Sequence, residues 1–449
     1  METALGSRGT SAVAAVMDET QPAVYEYFRG RLDATAAQAM TLKVMNLWLG
    51  RHHMRARSTR LGSRPYVMYI DPSNSCNLGC PGCVHSSTSK EKHLFDWRPG
   101  ILSQSRLEML LEAYGPYAAH IGFYNYGDPM VNALTPKLIR LAKTYLIQTA
   151  ASSNLSFPKL DAEALVDSGL DYLTMSIDGA TQEVYGRYRR KGKLDVVLNN
   201  IARLAEAKRK RNKQTPILSW QFLAFEHNAH EIEAAKQIAK DLGADQFSVV
   251  SPYDVSWDDP TIHPANIAPS RDEFNPLIAE GMYGNFNPFP AELAAAAIAR
   301  EFAVAWAHRF QESRANLGAP EARHTCQWLY RAMVMDAGGR VLPCCCSPTP
   351  QRDLVFSEQP EHERALDHYN SAKYDQVRTY FADPEAYRRT SNGHDPHCVN
   401  CTWNQEETNF GNPHLQNYLR GVEFHTSGGN YESYGTIFDP GCVELLCTW

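Results

Sequence analysis

Residues 76–83 read CNLGCPGC, so Cys76, Cys80 and Cys83 place three thiols within eight residues among small and turn-forming neighbours. Thiolates are soft ligands for zinc and for iron–sulfur clusters. Structural zinc usually takes four closed ligands in CxxC pairs, whereas three cysteines at C-x3-C-x2-C in a glycine-containing loop suit a four-iron, four-sulfur cubane. Three irons would be capped by protein and the fourth left open for chemistry. A structural zinc site or reactive thiols are the alternatives. Eleven cysteines occur in all: three at 76–83, none from 84 to 325, and eight from Cys326 to Cys447. Two thiol clusters so far apart imply two sites.

The second cluster holds Cys326, Cys344 and the CxxC pair Cys398 and Cys401. Between the first two, VMDAGGRVLP reads as a β-hairpin turned at Ala-Gly-Gly. Hairpin and pair together supply four thiolates, a closed site that a zinc ribbon would also explain. Cys345 and Cys346 are surplus, and either can stand in for Cys344. The remote pair Cys442 and Cys447 is too small for a cluster by itself.

The elements that must hold the first cluster alternate regularly. Strand-like runs occupy 66–71, 120–126, 149–154, 172–178, 217–225 and 246–252, with helical patterns at 105–115, 135–146, 161–169, 194–210 and 230–243. Asp161 reads as an N-cap, and Gly169 and Gly243 as helix ends. Six strands with five intervening helices form a parallel α/β array, two βα steps short of an eightfold barrel, so an open, partial (βα)6 barrel is expected. Polar and glycine-containing runs follow each of the first five strands: DPSNSCNLGCPGC, GDPM, SSNLS, SIDGA and EHN. Such barrels carry their chemistry at that carboxyl face.

The expected domains are a helical and linker region at 1–65, the barrel at 66–252, a bridge or lid at 253–325, and a second cysteine domain with its tail at 326–449. The 449-residue chain is 43% hydrophobic and 21% charged, ordinary for a soluble protein. A net charge of −6 gives no reason to expect a nucleic-acid partner. No apolar run suits a membrane helix, and the start lacks a signal-peptide pattern. A cytoplasmic location is the simplest expectation, and there clustered cysteines point to metal or redox work rather than disulfides.

C-x3-C-x2-C at the end of the first strand of a partial barrel resembles the radical S-adenosylmethionine (radical SAM) superfamily over about 66–252. The resemblance implies that the open iron chelates the methionine end of SAM. Cleavage then releases a 5′-deoxyadenosyl radical that abstracts hydrogen from substrate. Tyr126, Gly127, Asp128 and Pro129 look like the family's glycine–glycine–glutamate–proline turn, which binds the methionine amine. Ser153 and Asn154 look like its polar pair after strand three. Ser176 and Asp178, followed by Gly179, look like its strand-four motif near ribose and carboxylate. Asp128 and Asp178 also suit simple turn capping. Two departures stand out: Gly82 occupies the place of an aromatic that covers adenine, and Asp128 replaces glutamate.

The second cluster resembles the C-terminal SPASM or twitch domains of such enzymes. It implies one auxiliary 4Fe–4S cluster on Cys326, Cys344, Cys398 and Cys401, since no further cysteine follows closely. Twitch enzymes include dehydrogenases of aminocyclitols and sugars, so the expected activity is oxidoreduction of a small polyhydroxylated metabolite, by dehydrogenation or epimerisation. An external electron donor such as flavodoxin or ferredoxin is implied. A peptide-modifying, maturase-type enzyme is the alternative, and a non-catalytic metal scaffold a further one. No catalytic acid or base is assigned.

Overall fold

The computed structural model describes residues 21–86, 100–252, 259–276, 326–344, 355–358, 367–390 and Cys398, apart from single positions at 23, 27, 31, 327 and 356. The expectations for residues 1–20, for most of 253–325, for Cys345, Cys346, Cys401, Cys442 and Cys447, and for the tail 402–449 lie outside them.

Helix α1 (Ala34–Ala56) precedes the sheet. The alternation follows as β1 (Val67–Ile70), α2 (Gln104–Tyr114), β2 (His120–Phe123), α3 (Thr135–Lys143), β3 (Gln148–Ser153), α4 (Ala162–Asp167) and β4 (Tyr172–Ser176). It continues with α5 (Gln182–Tyr188), α6 (Leu194–Lys210), β5 (Ile217–Leu223), α7 (Ile232–Asp241), β6 (Gln246–Val250) and β7 (Ser270–Glu273). The second cysteine region contributes α8 (Trp328–Arg331), β8 (Ala332–Met335), β9 (Arg340–Leu342), β10 (Ser357–Glu358), α9 (Ala372–Ala382) and α10 (Pro384–Thr390).

Strands β1 to β6 run parallel in sequence order, as expected, and the sheet is open, consistent with a partial barrel. All four residues of β1 and of β2 are buried, as parallel strands covered on both faces must be. Along α6, Leu194, Val197, Ile201, Leu204 and Ala207 recur at helical spacing and are buried, so the helix lies on the sheet through one apolar stripe. Asp161 Oδ1 accepts from Ala164 N at 2.9 Å, and Gly169 and Gly243 take the positive φ that ends their helices.

The ten-stranded sheet has the order β10-β9-β8-β1-β2-β3-β4-β5-β6-β7. The hairpin expected between Cys326 and Cys344 forms as β8 and β9, and β8 pairs in parallel with β1, Val67 opposite Ala332 and Ile70 opposite Met335. The hairpin is therefore part of the barrel's own sheet. The buried Lys43 of α1 fastens that helix to the connection between α2 and β2 by donating to Gly115 O at 2.9 Å and Ala118 O at 2.5 Å. Among the described residues no helix is long and apolar enough to cross a membrane.

Candidate active site

The triad loop begins where β1 stops. Cys80 is buried, and Cys76 and Cys83 are half-buried. The three pack against an apolar wall of Leu78 from the loop after β1, Tyr188 at the end of α5, Leu223 at the end of β5, Phe225 just beyond it, and Ile262 after β6. The loop is tight: Cys83 N donates to Cys80 O at 3.1 Å, and Gly79 N donates to Arg190 O at 3.2 Å. Gly82, between the last two cysteines, sits at φ 72°, which a side chain resists. This explains why no aromatic stands there. Burial pushes the Cys76 and Cys80 thiols up to about 12 and raises Cys83 as well. Metal coordination deprotonates a thiol outright, so cationic irons are what would make these buried sulfurs thiolates. Among the described residues no three His, Cys, Asp or Glu side chains converge enough to share one ion. A cubane, in contrast, takes its three cysteines on three separate irons.

The turn after β2 interlocks with this loop. A Cβ on Gly127 would lie 1.8 Å from Ser73 O, so only glycine fits there. Asp128 N donates to Ser75 O at 2.9 Å. The Asp128 carboxylate is buried and accepts from Met130 N (2.9 Å), Ser153 Oγ (3.0 Å), Asn154 N (2.8 Å) and Asn154 Nδ2 (2.7 Å). Burial raises its pKa to about 6, with those donors pulling the other way. Asn154 Nδ2 also reaches Asn77 Oδ1 at 3.0 Å and Cys76 Sγ at 3.7 Å. Pro129 opens a short 3-10 turn, Pro129–Val131, and the Tyr126 carbonyl meets His85 Nε2 at 2.8 Å. Cys76, Gly127, Asp128, Ser153 and Asn154 are thus brought to one place. Asp128 spends its acceptor capacity joining the loops after β2 and β3.

After β4, Asp178 is fully buried, accepting from Arg189 Nε at 2.5 Å and from Leu223 N at 2.8 Å. Asn228, from the EHN run, donates to the Asp178 carbonyl at 3.1 Å. Arg189 is a site residue that sequence reasoning missed. Its charge favours the ionised forms of Cys76, Cys80, Cys83 and Asp128, so it is a buried cation within electrostatic reach of the triad. It follows α5, seven residues long and too short for a periodic signal; the only trace was the basic pair in YRRKG.

Ser176 lies with a second set of polar side chains on the sheet's inner face. Leu173, Met175, Trp220, Phe222, Phe247 and Val249 fill the helix-side core, so by strand alternation the residues between them face inward. These are Thr174, Ser176, Gln221 and Ser248, with Ser152 level with Thr174, Ser176 level with Gln221, and Gln221 level with Ser248. The Ser248 hydroxyl is buried with no hydrogen-bond partner among the described residues. Deeper in, Gln246 joins Tyr172 Oη, Ser219 Oγ and Arg271.

In the second cysteine region, three of the four expected ligands border one knot of side chains. The Tyr374 phenol is pushed up by burial, with Cys344 and Cys398 adding to the shift. Burial raises Tyr330 to about 12, with Cys326 adding. Both rings flank the buried Arg378 guanidinium, at 4.8 and 5.8 Å, and Tyr369 flanks it at 4.8 Å. Arg378 also donates twice to Leu329 O, at 2.8 and 3.0 Å.

Residues 70–219 match the family model described as the Radical SAM superfamily. Two curated relatives are GTP 3′,8-cyclases, from Limosilactobacillus fermentum (28% identical over 135 residues) and Chlorobaculum tepidum (26% over 147 residues). The matches cover 30% and 32% of this chain and only 40% and 42% of those proteins. Among solved structures, Streptococcus suis SuiB bound to S-adenosylmethionine is similar at 14% identity and TM-score 0.44, covering 82% of this chain and 76% of SuiB. Native anSMEcpe with bound AdoMet is similar at 15% identity and TM-score 0.41, with 79% and 100% covered. BtrN in complex with AdoMet and 2-DOIA gives 12% and 0.36, with 74% and 92% covered. Residues 70–219 therefore form a radical SAM domain within the chain.

Proposed function

We propose that this protein is a radical SAM oxidoreductase acting on a small, polyhydroxylated metabolite, by dehydrogenation or epimerisation. When bound, a 4Fe–4S cluster carrying SAM supplies a hydrogen-abstracting oxidant by reductive cleavage of SAM. Cys76, Cys80 and Cys83 would hold the cluster. Tyr126 to Pro129, Ser153, Asn154, Ser176, Asp178 and Arg189 would surround SAM, and the wall of Leu78, Tyr188, Phe225 and Ile262 excludes water from the sulfurs.

The observation that carries the substrate reading is the inward row of Ser152, Thr174, Ser176, Gln221 and Ser248. Hydroxyls and amides lining the sheet's inner face suit a ligand rich in hydroxyl groups, and the Ser248 hydroxyl, without a partner among the described residues, favours a ligand that supplies that bond. We assign an auxiliary 4Fe–4S cluster to Cys326, Cys344, Cys398 and Cys401, where it would supply one-electron exchange with substrate. The placing of three of these cysteines around Tyr330, Tyr374 and Arg378 supports that assignment. The reading includes an external electron donor of the flavodoxin or ferredoxin kind, a cytoplasmic location, and the division at 66–252, 253–325 and 326–449.

The test is anaerobic reconstitution with iron and sulfide, followed by iron analysis of the wild type and a Cys76/Cys80/Cys83 triple alanine variant. About eight irons per chain falling to about four is expected, with 5′-deoxyadenosine formed from SAM only by the wild type. Stoichiometric zinc with no iron would overturn the reading. Incubation with a panel of aminocyclitols and sugars then tests the substrate class, and turnover of peptides alone would replace it.

A further inference from the structure

We infer that Asp71 is the positioning residue that turns the backbone carbonyls after β2 toward the cysteine triad, where they can accept from the ammonium of SAM. The inference rests on the reading of the triad as a SAM-binding cluster site. Asp71 is fully buried at the end of β1, and its own backbone N–H is fixed on Met335 O of β8 at 3.0 Å. Its side chain does not cap its own strand. The carboxylate reaches across to the next loop and accepts from Tyr126 N at 3.0 Å and Gly127 N at 3.4 Å, with the Asn125 amide beside them. Successive N–H groups converging on one oxygen pair form an anion nest. Here the acceptor is built in: burial raises the Asp71 pKa well above the ordinary carboxylate value and Asp336 adds to it, while the three amides pull the other way.

A trans peptide is planar, with its N–H and C=O on opposite sides. Drawing the amides of Tyr126 and Gly127 onto Asp71 therefore turns the carbonyls of Asn125 and Tyr126 away from it. The direction they take is visible at Tyr126, whose oxygen meets His85 Nε2, two residues beyond Cys83. On the other side the turn is pressed against the triad loop, through Gly127 on Ser73 O and Asp128 N on Ser75 O. Asp71 and residues 73–75 thus grip the turn between them, and the grip leaves the Tyr126 oxygen on the side of His85 and the triad loop.

The experiment compares wild type, Asp71→Ala and Asp71→Asn as full-length, anaerobically reconstituted proteins. It measures iron per chain, SAM affinity by equilibrium dialysis, and the change SAM makes in the EPR spectrum of the reduced cluster. Asp71→Ala should keep its iron and lose about tenfold in SAM affinity, the size of a lost buried hydrogen bond. Asp71→Asn keeps one carbonyl oxygen for Tyr126 N and should lose about threefold. If Asp71→Ala does not fold, the asparagine variant alone decides, by the same criterion. Full iron with unchanged SAM affinity and spectrum would overturn the inference. Loss of iron in step with SAM would also overturn it, since Asp71 would then hold the triad loop. A wild type that binds iron but not SAM would overturn the underlying reading of the site, and is told apart by needing no variant.

Discussion

Arg189 Nε stands 2.5 Å from Asp178 Oδ2, a pair whose carboxylate is sealed from solvent and whose guanidinium lies within electrostatic reach of the cysteine triad. Removing one partner strands the other in a medium that solvates it poorly. Arg189→Ala should destabilise the fold by about 3–5 kcal/mol and reduce iron retention at the triad. Asp178→Asn, which keeps an acceptor for Leu223 N, should cost less. Urea unfolding of the apoproteins, with iron analysis after reconstitution, checks both.

Asp128 tests whether one carboxylate binds two loops together. In Asp128→Asn an amide NH2 must replace one carboxylate oxygen. It would face either Met130 N and Ser153 Oγ or the two Asn154 donors, and donors set against donors cost about 1–3 kcal/mol. The expected result is weaker SAM binding and faster amide exchange at Asn154, with the sheet's slow amides unchanged.

Gly82→Phe would restore the aromatic that the family carries before its third cysteine. With φ at 72° the side chain meets the steric cost of the left-handed region, about 1–2 kcal/mol. Faster iron release and a lower melting temperature are expected, and Gly82→Ala should show most of the same loss. A Phe variant as stable as wild type would contradict this account.

His120 gives a pH prediction. It is buried on β2, touching Gln148 Oε1 at 3.1 Å, and burial depresses its pKa from the usual 6.5 to about 4. Between those values the unfolded chain binds the proton and the folded chain does not, so stability falls as pH drops through 6.5 toward about 4. The full loss is on the order of 3 kcal/mol. His120→Gln should flatten the apoprotein's stability over that window, as read from urea midpoints at pH 4 to 7.

The barrel was legible because its signals are local. Continuous apolar runs such as VMYI and punctuated amphipathic stretches such as LDVVLNNIARLAEAKRK place themselves, and residues 194–210 form one helix with the expected bounds. The triad, the GDP turn and the Ser153–Asn154 pair were legible from residue type and from their place after a strand. What stayed hidden depends on contacts distant in sequence. The Arg189–Asp178 pair crosses a helix too short to leave a period, and Asp71 reads as an ordinary strand terminator until the loop after β2 folds onto it. The inward polar row was visible only as interruptions in strands, because alternation shows a face without saying what it faces. The pairing of β8 with β1 had no local sign, since a hairpin pattern does not name its neighbour.

That pairing bears on how the protein can be made and cut. The strand leading into the triad has β2 on one side and, on the other, a strand encoded late in the chain. During synthesis the unpaired backbone of β1 must wait for the second cysteine region to emerge, exposed to any other strand that can pair with it. A fragment ending before that region would carry Cys76, Cys80 and Cys83 and the loops after β1 to β6 yet present β1 as an open sheet edge. It should aggregate or dimerise through that edge rather than behave as a minimal enzyme.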